Sequence, residues 1–305
     1  MNSTQPTLID GKRIAAEHLS QLKRQLSQWQ SQGRRMPGLT VVRVGDDPAS
    51  GVYVNKKAKT AQELGITSHI EHLSDNISKS QMMDTLERLN ADDNVDAVLV
   101  QLPLPDHLDA LEIMQHLDPA KDADGFHPVN LGLLMAGAHP VAPPCTPAGI
   151  IALLKAYDVP LAGSHAVVIG RSMIVGKPLA LMLLNESATV SVCHSKTQNL
   201  SAMTRQADIL IAAVGKPHFI NANMIKADAV VMDVGINRRE TAALSAEVSG
   251  ASSTSKLVGD IDFDNVAPKA RLITPVPGGV GPMTIAMLMR NTVALYAQRQ
   301  GIAAL

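Results

Sequence analysis

Residues 164–184 read SHAVVIGRSMIVGKPLALMLL. A run rich in β-branched residues leads through a turn with two glycines into an apolar run of helical type. A strand that delivers the chain to a helix N-terminus puts free amides and the positive end of the helix dipole where a phosphate can be held. The stretch predicts a strand over 165–169, a helix over 176–185 and a dinucleotide-type turn between them. The common fingerprint of such a turn is GxGxxG. Here the glycines are Gly170 and Gly176, and Ser172 stands at the second glycine position. The motif taken alone is weak, since a plain strand-to-helix connector has the same composition.

The next strand, within ATVSVCHSKT (188–197), sharpens the reading. NAD-specific folds place a carboxylate near the end of the second strand to hold the ribose hydroxyls. This sequence has Ser195 and Lys196 there, and Arg171 adds a guanidinium suited to a phosphate dianion. A cofactor carrying a 2′-phosphate, NADP, is therefore expected. Two further strand ends carry AAVGKP and MDVGIN. Gly215 and Gly235 would let backbone approach a flat nicotinamide ring, or simply terminate strands; both readings stay open.

Working outward, the series continues as a helix over 199–206 and strands over 208–213, 229–234 and 272–274. An earlier series precedes it. Ala15, Leu19, Leu22, Leu26 and Trp29 mark one stripe of a helix over 13–29. LTVVRV (39–44) is a strand, 50–64 a helix ended by Gly65, and a strand lies near Ile70. A helix over 79–90 and a strand over 97–100 follow. Such alternation indicates an α/β protein with parallel sheets. Between the two series lie PLPD, DPAKDADGFHPVN and AHPVAPPCTPAG, whose prolines cannot continue a helix or a central strand. The last of these is read as the linker, with a boundary near Cys145. Residues 1–145, completed by a C-terminal helix over 283–305, form one domain and 146–282 the other. Residues 239–256, small and polar with little periodicity, read as an exposed loop.

A length of 305 residues suits two domains, and 46% hydrophobic against 18% charged residues excludes a disordered chain. Only 2% of residues are aromatic and the net charge is −1, which argues against a nucleic-acid partner. Cys145 and Cys193 suggest small buried hydrophobes rather than a disulfide framework. The histidines show no paired ligand spacing, so no metal is expected. The N-terminus lacks the apolar run of a signal peptide, and no apolar stretch is long enough to span a membrane. A cytoplasmic protein is expected.

The stretch GVYVNKKAKTA (51–61) carries Tyr53, Lys56, Lys57 and Lys59. Residues three and four apart share a helix face, so both Lys56 and Lys57 lie near Tyr53 and spacing cannot choose between them. A solvated helix face is the plain reading. In a cleft, burial and a like charge nearby would lower a lysine from its usual pKa of about 10.4 and suit it to proton transfer. Asp124, beside Gly125 in DADGF, reads on spacing alone as a turn-forming residue.

Several stretches together resemble one family: YVNKK, VQLPLP, KDADGFHPVN, CTPAGI, IGRSMIVGKP, CHSKT, ADILIAAVGKP, DVGIN and TPVPGGVGPMT. In this order they are similar to the bifunctional methylenetetrahydrofolate dehydrogenase/methenyltetrahydrofolate cyclohydrolase, over nearly the whole chain. The resemblance implies an N-terminal folate domain, a C-terminal Rossmann-type NADP domain with a cleft between them, and a final helix packing back on the first domain. It implies a homodimer acting on tetrahydrofolate substrates, without nucleic acid or membrane. It assigns Tyr53 and Lys57 to the catalytic helix, Gln101 to the glutamine bonded to the lysine, and Asp124 to the aspartate that holds the pterin ring. Val100 and Leu102 flank that glutamine in the substrate-binding segment. Gly170, Arg171, Ser172, Ser195 and Ile236 match cofactor contacts, and Pro277, Gly278 and Gly279 a loop beside the folate. Two rivals remain. A short-chain dehydrogenase also uses Tyr-x-x-x-Lys, but its glycine loop precedes the tyrosine, the reverse of the order here. A non-catalytic NADP-binding regulator would tolerate loss of Tyr53, Lys57 and Gln101.

Overall fold

Aliphatic runs of four to seven residues become the central strands because parallel strands are covered on both faces and have no wet side to mark by alternation. The computed structural model describes residues 7–240 and 255–303. In chain order the strands are β1 Thr7–Leu8, β2 Gly38–Val44, β3 Thr67–Leu73, β4 Ala97–Val100, β5 His165–Ile169, β6 Thr189–Cys193, β7 Ile209–Ala212, β8 Val230–Asp233, β9 Asn237–Glu240, β10 Ser255–Val258 and β11 Leu272–Ile273. The helices are α1 Gly11–Ser31, α2 Pro48–Leu64, α3 Lys79–Ala91, α4 Ala110–His116, α5 Pro128–Met135, α6 Cys145–Ala156, α7 Gly176–Asn185, α8 Leu200–Thr204, α9 Phe263–Val266 and α10 Val280–Arg299. None of the described helices is long and apolar enough to cross a membrane.

The chain divides into two units, each discontinuous in sequence. One holds the described residues up to Ile14 and Gly149–Met283; the other holds Ala15–Ala148 and the described residues from Thr284 onward. The expected boundary near Cys145 sat in a proline-rich linker. That stretch is helical: α6 begins at Cys145, the two units divide between Ala148 and Gly149 within it, and Pro147 lies in its first turn, where a missing amide hydrogen costs nothing. For the same reason Pro128 opens α5, and Asp109 caps the equally unforeseen α4.

In the first unit six parallel strands are ordered β1-β11-β8-β7-β5-β6. Every residue of β7 and β8 is buried. Val167, Ile169, Leu210, Val231 and Ile273 pack with Ile220, Ile225 and Val266 into one core cluster. The edge strand β1 was not foreseen. It adds to β11 with Thr7 opposite Leu272, and the Ile9 amide donates to the Ile273 carbonyl, which carries the first residues of the chain into this unit. Part of the expected loop, 241–254, lies outside the described residues. Its described ends pair instead as an antiparallel ribbon, with Glu240 opposite Ser255 and Asn237 opposite Val258. A ribbon held by backbone hydrogen bonds needs no hydrophobic periodicity, so no apolar pattern marks it.

The second unit is built on a three-stranded parallel sheet ordered β3-β2-β4. Val42, Val44, Val98 and Val100 pack against Met82, Leu86 and Leu89 of α3. From Thr284 onward α10 belongs to this unit: Tyr296 is buried, tilts against Trp29 and donates its hydroxyl hydrogen to the Arg35 carbonyl.

Candidate active site

In the second unit the choice between lysines is made by the buried face of α2. Asp47 caps this helix, its carboxylate accepting from the Ser50 amide, and Gly65 ends it in the left-handed conformation. Val54, Lys57, Ala58 and Ala61 turn inward, while Lys56 and Lys59 are exposed and Lys59 lies near Glu63. Lys57 is only 7% exposed. Its Nζ donates to Gln101 Oε1 at 2.9 Å. The other end of that amide, Nε2, donates to the Leu102 carbonyl at 2.6 Å, which fixes which end of Gln101 meets the lysine. Gln101 follows directly on β4, and its own amide is tied to the Val42 carbonyl.

Asp124 reaches the same place from the loop after Asp122. That loop is held by Asp122, whose buried carboxylate accepts from the Gly125 and His127 amides and from the Asn130 side chain. The turn-forming role that spacing offered to Asp124 thus belongs to Asp122, which leaves Asp124 available for chemistry. Burial raises the Asp124 carboxyl above the usual carboxylate range, while the charge of Lys57 and a hydrogen bond with Cys145 work in the opposite direction. The Cys145 thiol is pushed up well above its usual value, by burial first and by Asp124 next, and so is no nucleophile. Asn291 of α10 was not foreseen. Its amide donates to the carbonyls of Ala123 and Pro143 and ties the Asp124 loop to the chain before α6. A lone asparagine in the apolar run TIAMLMRNTVALYA was the signal available in the sequence.

Tyr53 is partly buried on the same helix, one turn before Lys57. Leu102 is partly buried, whereas the Val100 side chain is in the core and can offer a ligand only its backbone. Lys57, Gln101 and Asp124 are thus brought together within one unit. Pro277, Gly278 and Gly279 belong to the other unit, where the Gly278 carbonyl accepts from the Lys12 amide, a Cβ on Gly11 would strike the Gly279 carbonyl, and a Cβ on Gly279 would strike Thr274 and the Pro275 carbonyl.

In the first unit β5 is flanked by β6 on one side and β7 on the other, so the winding reverses at the carboxyl end of β5. Open α/β sheets bind ligands at such a point. Gly170 stands there at φ +125°, and a Cβ would strike the Ala213 carbonyl. A Cβ on Gly176 would strike the Gly170 carbonyl, so α7 comes as near to the turn as backbone allows. The Ser172 hydroxyl accepts from the Val175 amide at 3.2 Å and from the Gly176 amide at 3.4 Å, an oxygen where α7 presents its free donors. Arg171, Ser172, Ser195, Lys196 and Ile236 are all exposed. Ile169 pairs with Cys193, which sets the segments carrying Arg171 and Ser195 at the same end of adjacent strands. A glycine cradle, a helix N-terminus and a cationic second-strand end suit a dinucleotide with a 2′-phosphate.

The two later glycines part company. Gly215, at φ +65°, faces open space, but the space where Gly235 lacks a Cβ is filled by the Asp260 carboxylate. A cavity of about 560 Å³ in this unit is lined by His218, Asp233, Arg239, Lys256, Phe263 and Val276, none of them a residue singled out from the sequence.

Comparisons with known proteins agree with this geometry. The family described as tetrahydrofolate dehydrogenase/cyclohydrolase matches twice, its catalytic domain at residues 9–124 and its NAD(P)-binding domain at 144–300. The bifunctional protein FolD of Exiguobacterium sibiricum is 51% identical over 286 residues, 94% of this chain and 98% of that one. The crystal structure of the bifunctional enzyme FolD, a methylenetetrahydrofolate dehydrogenase/cyclohydrolase, from Campylobacter jejuni is 48% identical, with a TM-score of 0.90 over 96% of this chain and 99% of that one. The Trypanosoma brucei N5,N10-methylenetetrahydrofolate dehydrogenase-cyclohydrolase, complexed with NADP cofactor and inhibitor, is 35% identical. Its TM-score is 0.90 over 98% of this chain and the whole of that one.

Proposed function

The chain belongs to the tetrahydrofolate dehydrogenase/cyclohydrolase family, and from that premise we infer that it is the bifunctional enzyme of one-carbon folate metabolism. It oxidises 5,10-methylenetetrahydrofolate to the 5,10-methenyl cation with NADP, and hydrolyses the cation to 10-formyltetrahydrofolate. When bound, NADP supplies the acceptor for the hydride that leaves the bridging carbon. The second step adds water to the cation, breaks one carbon–nitrogen bond and releases a proton.

In our reading the first unit binds the cofactor through Gly170, Arg171, Ser172, Ser195 and Ile236. The second binds folate through Tyr53, Lys57, Gln101 and Asp124, with Val100 and Leu102 beside them and Pro277, Gly278 and Gly279 also contributing. Lys57 moves the proton in the hydrolytic step. The observation that carries this role is the 2.9 Å hydrogen bond from Lys57 Nζ to Gln101 Oε1 at a buried position. A neutral amide aims the amine without pinning it as an ammonium, as a carboxylate would. Asp124 holds the pterin ring, and its raised carboxyl suits a group that shares a proton with a ring nitrogen.

Lys57→Met tests the assignment. Cyclohydrolase kcat should fall by roughly two to four orders of magnitude, the usual share of general acid–base catalysis. NADP binding, measured by calorimetry, should stay unchanged because the cofactor residues lie in the other unit. Undiminished cyclohydrolase activity would remove Lys57 from the mechanism. We also propose that the enzyme works in the cytoplasm as a homodimer, which sedimentation of the purified chain would test.

A further inference from the structure

Two buried aspartates of the first unit, absent from the mechanism above, hold the strand ends that surround Ile236. Asp260 is fully buried. Its Oδ2 accepts from the Val214 amide at 2.7 Å and the Gly215 amide at 3.0 Å. Its Oδ1 accepts from the Lys216 amide at 2.8 Å and from Asn237 Nδ2 at 2.9 Å. Three successive amides can converge on one carboxylate because Gly215 turns left-handed, at φ +65°. Such a nest of backbone donors is a preorganised seat for an anion, and the seat is filled from within the protein.

Asp233, at the end of β8, holds Asp260 in turn. Its Oδ1 accepts from the Gly235 amide at 3.1 Å and the Asp260 amide at 2.9 Å, and its Oδ2 accepts from the Ile261 amide at 3.0 Å. The two segments are made for each other. A Cβ on Gly235 would strike the Asp260 carboxylate, and a Cβ on Gly259 would strike the Asp233 carboxylate. Neither glycine therefore owes its identity to a ligand. The loop after β7 and the loop after β8 are thus locked to one strut, Gly259–Ile261, by hydrogen bonds that cannot slide without stranding buried polar groups.

We propose that Asp260, seated on Asp233, is a positioning residue for the cofactor, fixing the Val214–Lys216 and Gly235–Asn237 loops at the sheet end where Gly170–Ser172 and Ser195 also lie. This rests on the assignment of the cofactor to that sheet end. The carboxylate touches no ligand itself. It sets the distance between two backbone segments that would otherwise relax independently once the sheet ends.

Asp260→Asn keeps the shape but gives up the charge and turns an amide donor toward backbone N–H groups. The dissociation constant of NADP, read by calorimetry, should rise at least tenfold, and the KM for NADP should follow. Hydrolysis of methenyltetrahydrofolate supplied directly, which needs no cofactor, should stay within twofold. An NADP constant within twofold of the parent overturns the proposal, and so does a parallel loss of both activities, the mark of a merely structural role. Should Asp260→Asn fail to fold, Asn237→Ala decides. Removing one of the four donors should raise the NADP constant severalfold without moving the melting temperature, and an unchanged constant there overturns the proposal equally. Binding is read independently of turnover, so a parent that binds NADP but does not oxidise the folate would sink the functional reading while leaving this one open to the same measurement.

Discussion

At the scale of single residues, Asp124 and Lys57 are coupled: burial raises the aspartate and the lysine's charge draws it back down. In Lys57→Met the counter-pull is gone, so Asp124 should protonate at still higher pH. The pH dependence of folate-analogue binding by the variant should show its acid limb displaced upward, and a limb that does not move would uncouple the pair. Asp233 gives a different pH signature. Burial pushes its carboxyl up to about 7 despite three amide donors. The folded state therefore holds a proton that the unfolded chain, near pKa 3.9, has already released. This contribution to stability is fully present below about pH 4 and is lost as pH rises toward 7, by up to roughly 4 kcal/mol. Asp233→Asn should be less stable at low pH, having given up one acceptor, yet should lose less on going from pH 5 to pH 8. Denaturant titrations at the two pH values check this. Cofactor choice is the third case at this scale. A charge-assisted hydrogen bond contributes about 1.5–3 kcal/mol, or one to two decades in affinity. Arg171→Ala with Ser195→Asp should weaken NADP by at least that much and leave NAD unchanged or improved in steady-state kinetics. A double variant that still prefers NADP as strongly as the parent would mean that these residues do not read the 2′-phosphate.

At the scale of elements, the contact between the β5 turn and α7 is the feature with least slack. Gly176 has no room for a Cβ against the backbone of Gly170 and Arg171, and backbone, unlike a side-chain tip, cannot rotate away. Gly176→Ala should displace α7 from the turn and weaken NADP by an order of magnitude or more, while Lys57, Gln101 and Asp124 in the other unit keep the cyclohydrolase rate. Calorimetry and the cofactor-free assay measure the two effects separately. The strands and long helices were legible because each carries its own period: β4, β5 and α7 begin and end where their residues say. The helices α4, α5 and α6 were not legible. The prolines of α5 and α6 sit at or beside the start, where proline is harmless, and a proline-rich stretch gives no local clue to whether helix or loop follows it; α4 is a short helix marked only by its Asp109 cap.

At the scale of the molecule, the chain enters the first unit, leaves it at Ile14, returns at Gly149 and leaves again after Met283. A fragment of residues 149–283 would lack β1 and Ile9, and would present β11, Leu272–Ile273, as an unpaired hydrophobic edge. It should associate or precipitate where the whole chain does not. Sedimentation of the fragment tests this, and a monodisperse species with a cooperative melt would show that β1 is dispensable.

The sequence by itself determined the alternation of strands and helices, the sheet end at which Gly170, Arg171, Ser172 and Ser195 gather, and the residue types fit for a phosphate dianion. All of these follow from local periodicity, or from neighbours within one strand–turn–helix. Only the tertiary structure buried Lys57 and exposed Lys56, gave the turn in DADGF to Asp122, and seated Asp260 in the nest after β7. These depend on which face of α2 turns inward and on hydrogen bonds spanning tens of residues. Such relations are fixed when strands pair and helices pack, and no spacing within a single segment encodes them.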